Sequence, residues 1–182
     1  DIKFRLLTET ERRPGLALGL MDFGGTGAYG SEYIVASKRF NNIDLSIGLG
    51  WGTLSAEEHI SNPLDWFNNF LSDFSFGDPE ENLQHGGGIS LGNLFDDEKV
   101  SIFGGIEYFT PVPNLSVKLE YDTNKYPEGT KLDFFDPSSR NMRIDSRLSA
   151  ALNYRFHATE RDAIDLSLGY VHGNTLYASV AV

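Results

Sequence analysis

The chain alternates between apolar and small or polar residues in several short stretches, of which 43–52 is the clearest. Its odd positions hold large apolar side chains, and its even positions hold Asp, Ser or Gly. Because successive side chains of a strand point to opposite faces, this stretch predicts a strand with one apolar and one polar face. Ten residues are about the length that a tilted strand needs to cross a bilayer.

The same alternation recurs along the chain, and helical periodicity is almost absent. It is clear at 100–108, 115–122, 147–156 and 164–170, and weaker at 2–10, 15–23, 31–40 and 175–182. Together with 43–52, these stretches predict an all-β, antiparallel fold of about nine strands in a single domain over 1–182.

The connections between these strands alternate in length. Short turns are predicted at 12–14, 41–42, 111–114 and 157–162, and counting strands puts all four at one edge of the sheet. The other edge receives two long connections, 53–99 and 123–141, besides 24–30 and a tight turn at 172–174. Short turns on one rim and longer loops on the other are typical of an outer-membrane β-barrel.

Aromatic residues cluster at the strand ends, as expected for rings that prefer the two interfaces of a bilayer. The rings near the short turns are Phe40, Phe109, Tyr154 and Phe156, and those near the loops are Trp51, Tyr121 and Tyr170. A water-soluble antiparallel barrel or sandwich also alternates, with its apolar face inward. The many Gly, Ser and Ala residues on the polar faces favour the membrane interpretation, because soluble surfaces prefer Lys, Glu and Thr.

The composition of the chain argues against several classes of partner and site. The net charge of -11 argues against a nucleic-acid partner, which needs clustered Lys and Arg. The absence of Cys excludes disulfides and cysteine-ligated metals, and no apolar run is long enough for a transmembrane helix. The chain begins at Asp1 without a signal-peptide pattern, so we expect the numbering to start inside a longer precursor.

If the barrel is correct, the two faces of each strand have different surroundings. Lipid-facing residues are predicted to include Ile43, Leu45, Ile47, Leu49, Trp51, Leu115, Val117, Leu119 and Tyr121. Charged residues predicted to face the lumen are Lys3, Arg5, Glu32, Lys38, Asp44, Glu107, Lys118, Glu120, Asp122, Asp145, Arg147, Arg155 and Asp165. These mixed charges are compatible with a ladder of structural ion pairs or with a hydrated channel.

The connection 53–99 contains ten acidic residues and one Lys, a balance of -9. A solvated acidic loop explains this charge better than a cation site, since regular calcium-loop spacing is missing. Within it, 62–71 has the pattern of a short amphipathic helix that either plugs the barrel mouth or rests on the rim.

No constellation of catalytic residues emerges. The G-x-G-x-x-G match at 25–30 precedes a predicted strand instead of the helix that a dinucleotide site needs, so we interpret it as a turn. The four histidines lack metal-type spacing, and no Ser-His-Asp set can be assembled. We therefore expect no enzymatic activity, no cofactor and no metal.

Three stretches, 21–40, 45–52 and 104–122, resemble the YjbH-type outer-membrane proteins of exopolysaccharide and capsule operons. The resemblance covers about 1–125 well and the remainder loosely. It implies a Gram-negative outer-membrane barrel linked to polysaccharide secretion, and it carries no catalytic residues over to this chain. Members are much longer than 182 residues, which together with the odd strand count indicates part of a larger barrel.

The leading hypothesis is a passive conduit or scaffold for export or assembly of an extracellular polysaccharide. Its expected partners are the lipid bilayer and lipopolysaccharide, the polysaccharide, other export-machinery proteins and the rest of the barrel. The alternative is a soluble β-sheet carbohydrate-binding module. Lipid contact and detergent-dependent extraction distinguish the two.

Overall fold

The computed structural model describes residues 1–22, 30–65, 94–95, 97–125, 144–157 and 163–181. Within these ranges it has ten strands. They are β1 (Ile2–Leu7), β2 (Gly15–Met21), β3 (Ser31–Phe40), β4 (Ile43–Gly50), β5 (Ile60–Ser61), β6 (Lys99–Phe109), β7 (Leu115–Tyr121), β8 (Leu148–His157), β9 (Ala163–Val171) and β10 (Thr175–Ala181). One 3-10 helix, Gly52–Ser55, follows β4.

Nine of the strands form one antiparallel meander in the order β1-β2-β3-β4-β6-β7-β8-β9-β10, and the two-residue β5 pairs with β6 outside that path. The predicted all-β, antiparallel architecture of about nine strands is therefore confirmed. In the described residues β1 and β10 are the two ends of the sheet and do not pair with each other. The sheet is open, so it is not a closed barrel.

The turns follow from local sequence. Asn41 and Asn114 take positive φ angles of 52° and 64° in the β3–β4 and β6–β7 turns, a conformation that Asn tolerates better than most residues. His172 and Gly173 do the same between β9 and β10. Of the predicted turn 157–162, His157 ends β8 and the remainder lies outside the described residues, as does most of the glycine-rich 24–30. The strand expected after Gly30 is present as β3.

The apolar face of the meander is its more exposed face. On β4, Ile43, Leu45 and Ile47 are exposed while Asp44 and Ser46 are half-buried and Gly48 is buried. The pattern repeats on β9, where Leu168 is 56 % exposed and Gly169 is buried. A water-soluble sheet normally covers its apolar face and exposes its polar face, so the exposure pattern of this sheet is the reverse.

Among the described residues, the buried hydrophobic cluster covers one end of this apolar face. Leu20, Trp51, Phe95 and Val100 form a buried cluster, against which Leu18, Ile34, Leu49, Leu64 and Leu94 pack. Two cluster members, Trp51 and Phe95, and two of the residues packed against them, Leu64 and Leu94, come from the β4–β6 connection. This connection therefore folds over the loop end of β2, β3, β4 and β6. The connection is thus partly structured rather than a simple solvated loop.

The prediction that Trp51 faces lipid is wrong. The side chain is fully buried, its Nε1 donates to Asn62 Oδ1 at 3.0 Å, and its ring meets Phe95 edge-on at 5.0 Å. The strand ends at Gly50, and Gly52 turns the chain with a φ of 64°. Returning residues then cover this end of the apolar face, so Leu49 also packs against protein there.

Candidate functional site

The polar face of the meander collects the charged and hydroxyl-bearing side chains. Directly opposed residues of neighbouring strands share a face, and Asp44, Glu107 and Lys118 line up in this way across β4, β6 and β7. Arg5 on β1 and Glu120 on β7 also have this orientation by register. Most of the predicted lumen-facing residues are therefore brought to one face.

Ion pairs cross the strands of this face. Arg155 and Asp165 are directly opposed on β8 and β9, with a two-pronged contact of 2.6 Å and 2.8 Å. Glu107 lies opposite Lys118 at 3.7 Å, and Ser116 donates to the Glu107 carboxylate at 2.6 Å. These contacts match the ladder of ion pairs that the sequence allowed.

Hydroxyl and amide groups continue the ladder between the ion pairs. Ser37 and Ser46 are directly opposed on β3 and β4, with their hydroxyl oxygens 2.7 Å apart. Ser167 donates to the Asn153 amide oxygen at 2.7 Å across β8 and β9. Small polar residues therefore tie the strands together on this face and leave space above them.

Three of the aromatic side chains on the polar face each lie directly opposite a glycine. Tyr33 faces Gly19, Phe103 faces Gly48 and Tyr177 faces Gly169. A Cβ atom added at any of these glycines would overlap the opposing ring, so each ring lies across the glycine backbone. Such packing of a ring over a strand glycine shields the bare backbone and helps to hold register. Sequence reasoning missed these pairs, although the aromatic residues stand at polar positions of their strands.

Two cavities lie on the polar face and share Glu107 and Lys118. One, of about 550 Å³, extends from Ser37 across Phe103 to Asp122. The other, of about 630 Å³, is lined by residues of the β6–β7 turn and by Asn153, Arg155 and Asp165. The two cavities therefore adjoin each other on the polar face, and the strands of the sheet form the base of both.

The 3-10 helix after β4 folds over the loop end of this polar face. Leu54 packs against Gly50 and lines the first cavity. The Thr123 hydroxyl donates to the Leu54 carbonyl at 2.8 Å, and Arg147 binds Glu57 at 2.7 Å. Arg147, which directly precedes β8, thus has a partner from the β4–β6 connection that sequence could not identify.

His59 joins the connection to the sheet. Its Nδ1 accepts from the Ile102 amide at 3.0 Å, and its Nε2 lies 3.3 Å from the Tyr121 hydroxyl. The connection therefore contacts both faces at the loop end: the 3-10 helix covers the polar face, and Leu64, Leu94 and Phe95 cover the apolar face. Of the predicted helix 62–71, residues 66–71 lie outside the described ranges.

Two predicted lumen residues belong to the other face. Lys38 lies opposite Leu45, and Glu32 lies opposite Leu20, so both share the apolar face of β3 with Ile34 and Phe40. Lys38 donates to Glu9 at 3.0 Å and to the Thr10 carbonyl at 2.6 Å. Arg39, which the sequence reasoning passed over, is the basic residue of β3 that faces Asp44 on the polar side.

Asp145 and Phe109 also differ from expectation. Asp145 precedes β8 rather than lying on a strand; its amide donates to the His172 carbonyl at 2.8 Å. Phe109 lies opposite Ser116 on the polar face, with the Arg39 guanidinium 4.2 Å above its ring, so it does not belong to an apolar rim. Both depend on contacts between segments that alternation alone does not describe.

Neither a spanning helix nor a metal cluster is found in the described parts of the chain. In those ranges, no helix is long and apolar enough to cross a membrane. No group of three or more His, Asp or Glu side chains within them is placed to hold a metal ion.

The chain is therefore an antiparallel β-meander protein. One face of its sheet is apolar and exposed, and the strands of the other face are joined by polar contacts. Over residues 1–182 the chain matches the family model described as "YjbH: Exopolysaccharide biosynthesis protein YbjH", and it belongs to that family. It is 34 % identical over 182 residues to a protein of Escherichia coli (strain K12) named "Uncharacterized lipoprotein YjbH". That match covers 100 % of this chain and 24 % of the relative, so the chain spans about a quarter of the relative's length. No solved structure matches the chain.

Proposed function

We propose that this segment is part of the wall of a transmembrane β-barrel in the Gram-negative outer membrane, where it assists export or assembly of an exopolysaccharide. The apolar face contacts lipid and lipopolysaccharide, and the polar face lines the lumen. One observation carries the proposal: exposed apolar residues such as Ile47 and Leu168 alternate with less exposed polar residues bonded across the strands. Lipid would remove the cost of leaving that apolar face in water.

The exposed aromatic residues of the apolar face support this orientation. Phe40, Tyr108, Tyr154 and Phe156 lie toward the short turns, and Tyr170 lies toward the loops. From Leu148 to Phe156, β8 advances eight residues, about 27 Å along the strand at ~3.4 Å each. With a tilt of about 40°, this corresponds to about 20 Å along the membrane normal, close to the ~25 Å apolar band of such barrels.

The two unpaired edges of the sheet are consistent with a barrel wall that further strands complete. Nine antiparallel strands leave β1 and β10 running in the same direction, so these two edges cannot close on each other as an antiparallel pair. Unpaired strand edges in lipid are very costly. Further strands, from another segment or another chain, therefore close the barrel in this proposal.

Family membership supports the polysaccharide link, and the name of the E. coli relative, a lipoprotein, is compatible with membrane attachment. We propose a passive role, as conduit, scaffold or docking surface for other export-machinery proteins. The rival soluble carbohydrate-binding module is disfavoured by the exposed apolar face, because such a module would bury it.

Two adjacent alanines provide a matched test on β8. Ala150 shares the apolar face with Leu119 and Tyr170, whereas Ala151 shares the polar face with Lys118 and Gly169. Because residues 1–182 contain no native Cys, a Cys introduced at either position is the single labelling site within this segment. In the full-length protein, any reactive Cys outside residues 1–182 is first replaced by Ser, and each variant then carries one environment-sensitive fluorophore. Brominated lipids should quench the label at 150 strongly and the label at 151 weakly. Equal quenching, or quenching only at 151, would refute the proposed orientation.

A further inference from the structure

We propose that the polar-face cavity between β3 and β7 binds a stretch of uncharged glycan, with the ring of Phe103 as the surface on which a sugar ring stacks. This site deepens the proposed export function and rests on it. The cavity has a volume of about 550 Å³. This lies within the ~300–1,000 Å³ range of small-molecule sites, so a short run of sugar rings fits.

The Phe103 ring is held in place by neighbouring groups of the sheet. It lies across Gly48, where any side chain on the opposing strand would collide with it. Tyr33 meets it edge-on, with ring centroids 6.1 Å apart and planes at 84°. A ring fixed in this way contributes apolar aromatic surface to the cavity that it lines.

Polar groups that can exchange hydrogen bonds with sugar hydroxyls also line this cavity. The Ser37 and Ser46 hydroxyls stand together on one side, with their oxygens 2.7 Å apart. Asp44 and Glu120 add carboxylate acceptors to the lining. One apolar platform ringed by a few fixed hydrogen-bonding groups is the usual composition of a small-ligand site.

The charge of the lining selects among glycans. Asp44, Glu107, Glu120 and Asp122 contribute four carboxylates, and Lys118 contributes one ammonium group, a balance of -3. Uronate or phosphate groups would meet repulsion at close range, because a partly enclosed site is screened less than a surface. The site therefore favours neutral sugars.

A purely structural role is the competing explanation for Phe103, since a ring over glycine also stabilises the sheet. Tyr177 separates the two roles. It packs over Gly169 in the same manner but lies on β10, away from the strands that line this cavity. Phe103→Leu removes both ring packing and platform, whereas Tyr177→Leu removes ring packing alone.

The test uses the full-length protein in detergent micelles without divalent cations. The probes are fragments of α- and β-linked glucan, mannan and galactan, with oligogalacturonate as the acidic comparison, and binding is followed by saturation-transfer NMR. We expect at least one neutral probe to bind, oligogalacturonate not to bind, and Phe103→Leu to weaken binding about three- to tenfold. Tyr177→Leu should leave binding unchanged.

Three outcomes would overturn the site: no binding of any neutral probe, equal weakening by both variants, or preferential binding of oligogalacturonate. The brominated-lipid measurement at Ala150 and Ala151 is independent of glycan. Correct lipid contact without glycan binding would reject the site and leave the barrel proposal standing. Glycan binding without lipid contact would reject the barrel instead.

Discussion

Arg155 and Asp165 face each other across β8 and β9, and their side chains form two hydrogen bonds of 2.6 Å and 2.8 Å. Both side chains remain accessible, with 59 % and 44 % of their surfaces exposed. A bidentate contact is the strongest geometry for an ion pair, but exposure to water limits its contribution to stability.

Asp165→Asn should therefore lower the free energy of unfolding only slightly. The exchanged variant, Arg155→Asp with Asp165→Arg, should recover most of that loss because the partners still face each other. Urea unfolding of the assembled full-length protein would measure both effects, and 1 M salt should shrink them if the polar face is hydrated. A large coupling free energy between the two positions that 1 M salt leaves unchanged would indicate a dry polar face.

Leu152→Arg should impair membrane assembly. Leu152 lies in the middle of β8 on the apolar face, and Arg at the bilayer midplane costs about 2–4 kcal/mol. Ser149→Arg is the control, because it places the same side chain on the polar face opposite Glu120. The measurement is the fraction of heat-modifiable, folded protein in outer-membrane extracts. Equal assembly of the two variants would contradict the proposed lipid contact.

Trp51→Ala should loosen the β4–β6 connection while the meander stays assembled. Removal of a fully buried Trp typically costs about 3–5 kcal/mol, and the Asn62 side chain would lose its indole donor. Limited proteolysis should then cut this connection faster than in the unmodified protein. Leu168→Ala serves as the comparison, since this exposed side chain makes no part of the buried cluster. Unchanged cleavage of the Trp51 variant would show that the cluster does not hold the connection.

Glu9→Gln should weaken assembly through Lys38. The Lys38 ammonium group lies on the apolar face of β3 and is paired with the Glu9 carboxylate at 3.0 Å. Neutral Gln keeps an acceptor for the Arg39 amide but leaves the ammonium charge unbalanced. The double variant with Lys38→Met should assemble normally because no charge then remains to be balanced. A double variant as defective as Glu9→Gln alone would contradict this explanation.

The Glu9–Lys38 pair also predicts that the stability of the protein falls at acid pH. Hydrogen bonds from the Arg39 amide and Lys38 hold the pKa of Glu9 below its ordinary value of 4.5. A lowered pKa in the folded state contributes stability above that ordinary value, and this contribution is lost as pH falls through the folded pKa. Below pH 4.5 the unmodified protein should therefore lose stability more steeply than Glu9→Gln, as measured by urea midpoints at successive pH values.

The alternation of residue types determined which segments are strands, because a period of two is a local property of extended backbone. It also determined how the strands pair, because a shift by one residue would move apolar side chains to the polar face. It predicted the nine-strand antiparallel meander and the exposed apolar positions of β4, such as Leu45 and Ile47. It also placed opposite charges on the same face, as with Glu107 and Lys118. These features could be predicted because they depend only on a strand and its immediate neighbours.

Tertiary structure alone decided the remainder, because it depends on register and on contacts between distant segments. Lys38 joins the apolar face because β3 pairs it with Leu45, and only the Glu9 turn explains how its charge is tolerated. Trp51 continues an exposed apolar pattern but is buried by residues that return from 44 positions later, at Phe95. Phe103 gains its place over Gly48 only when β4 and β6 align. Local alternation assigns a side chain to a face, but the packing of other segments determines what covers it.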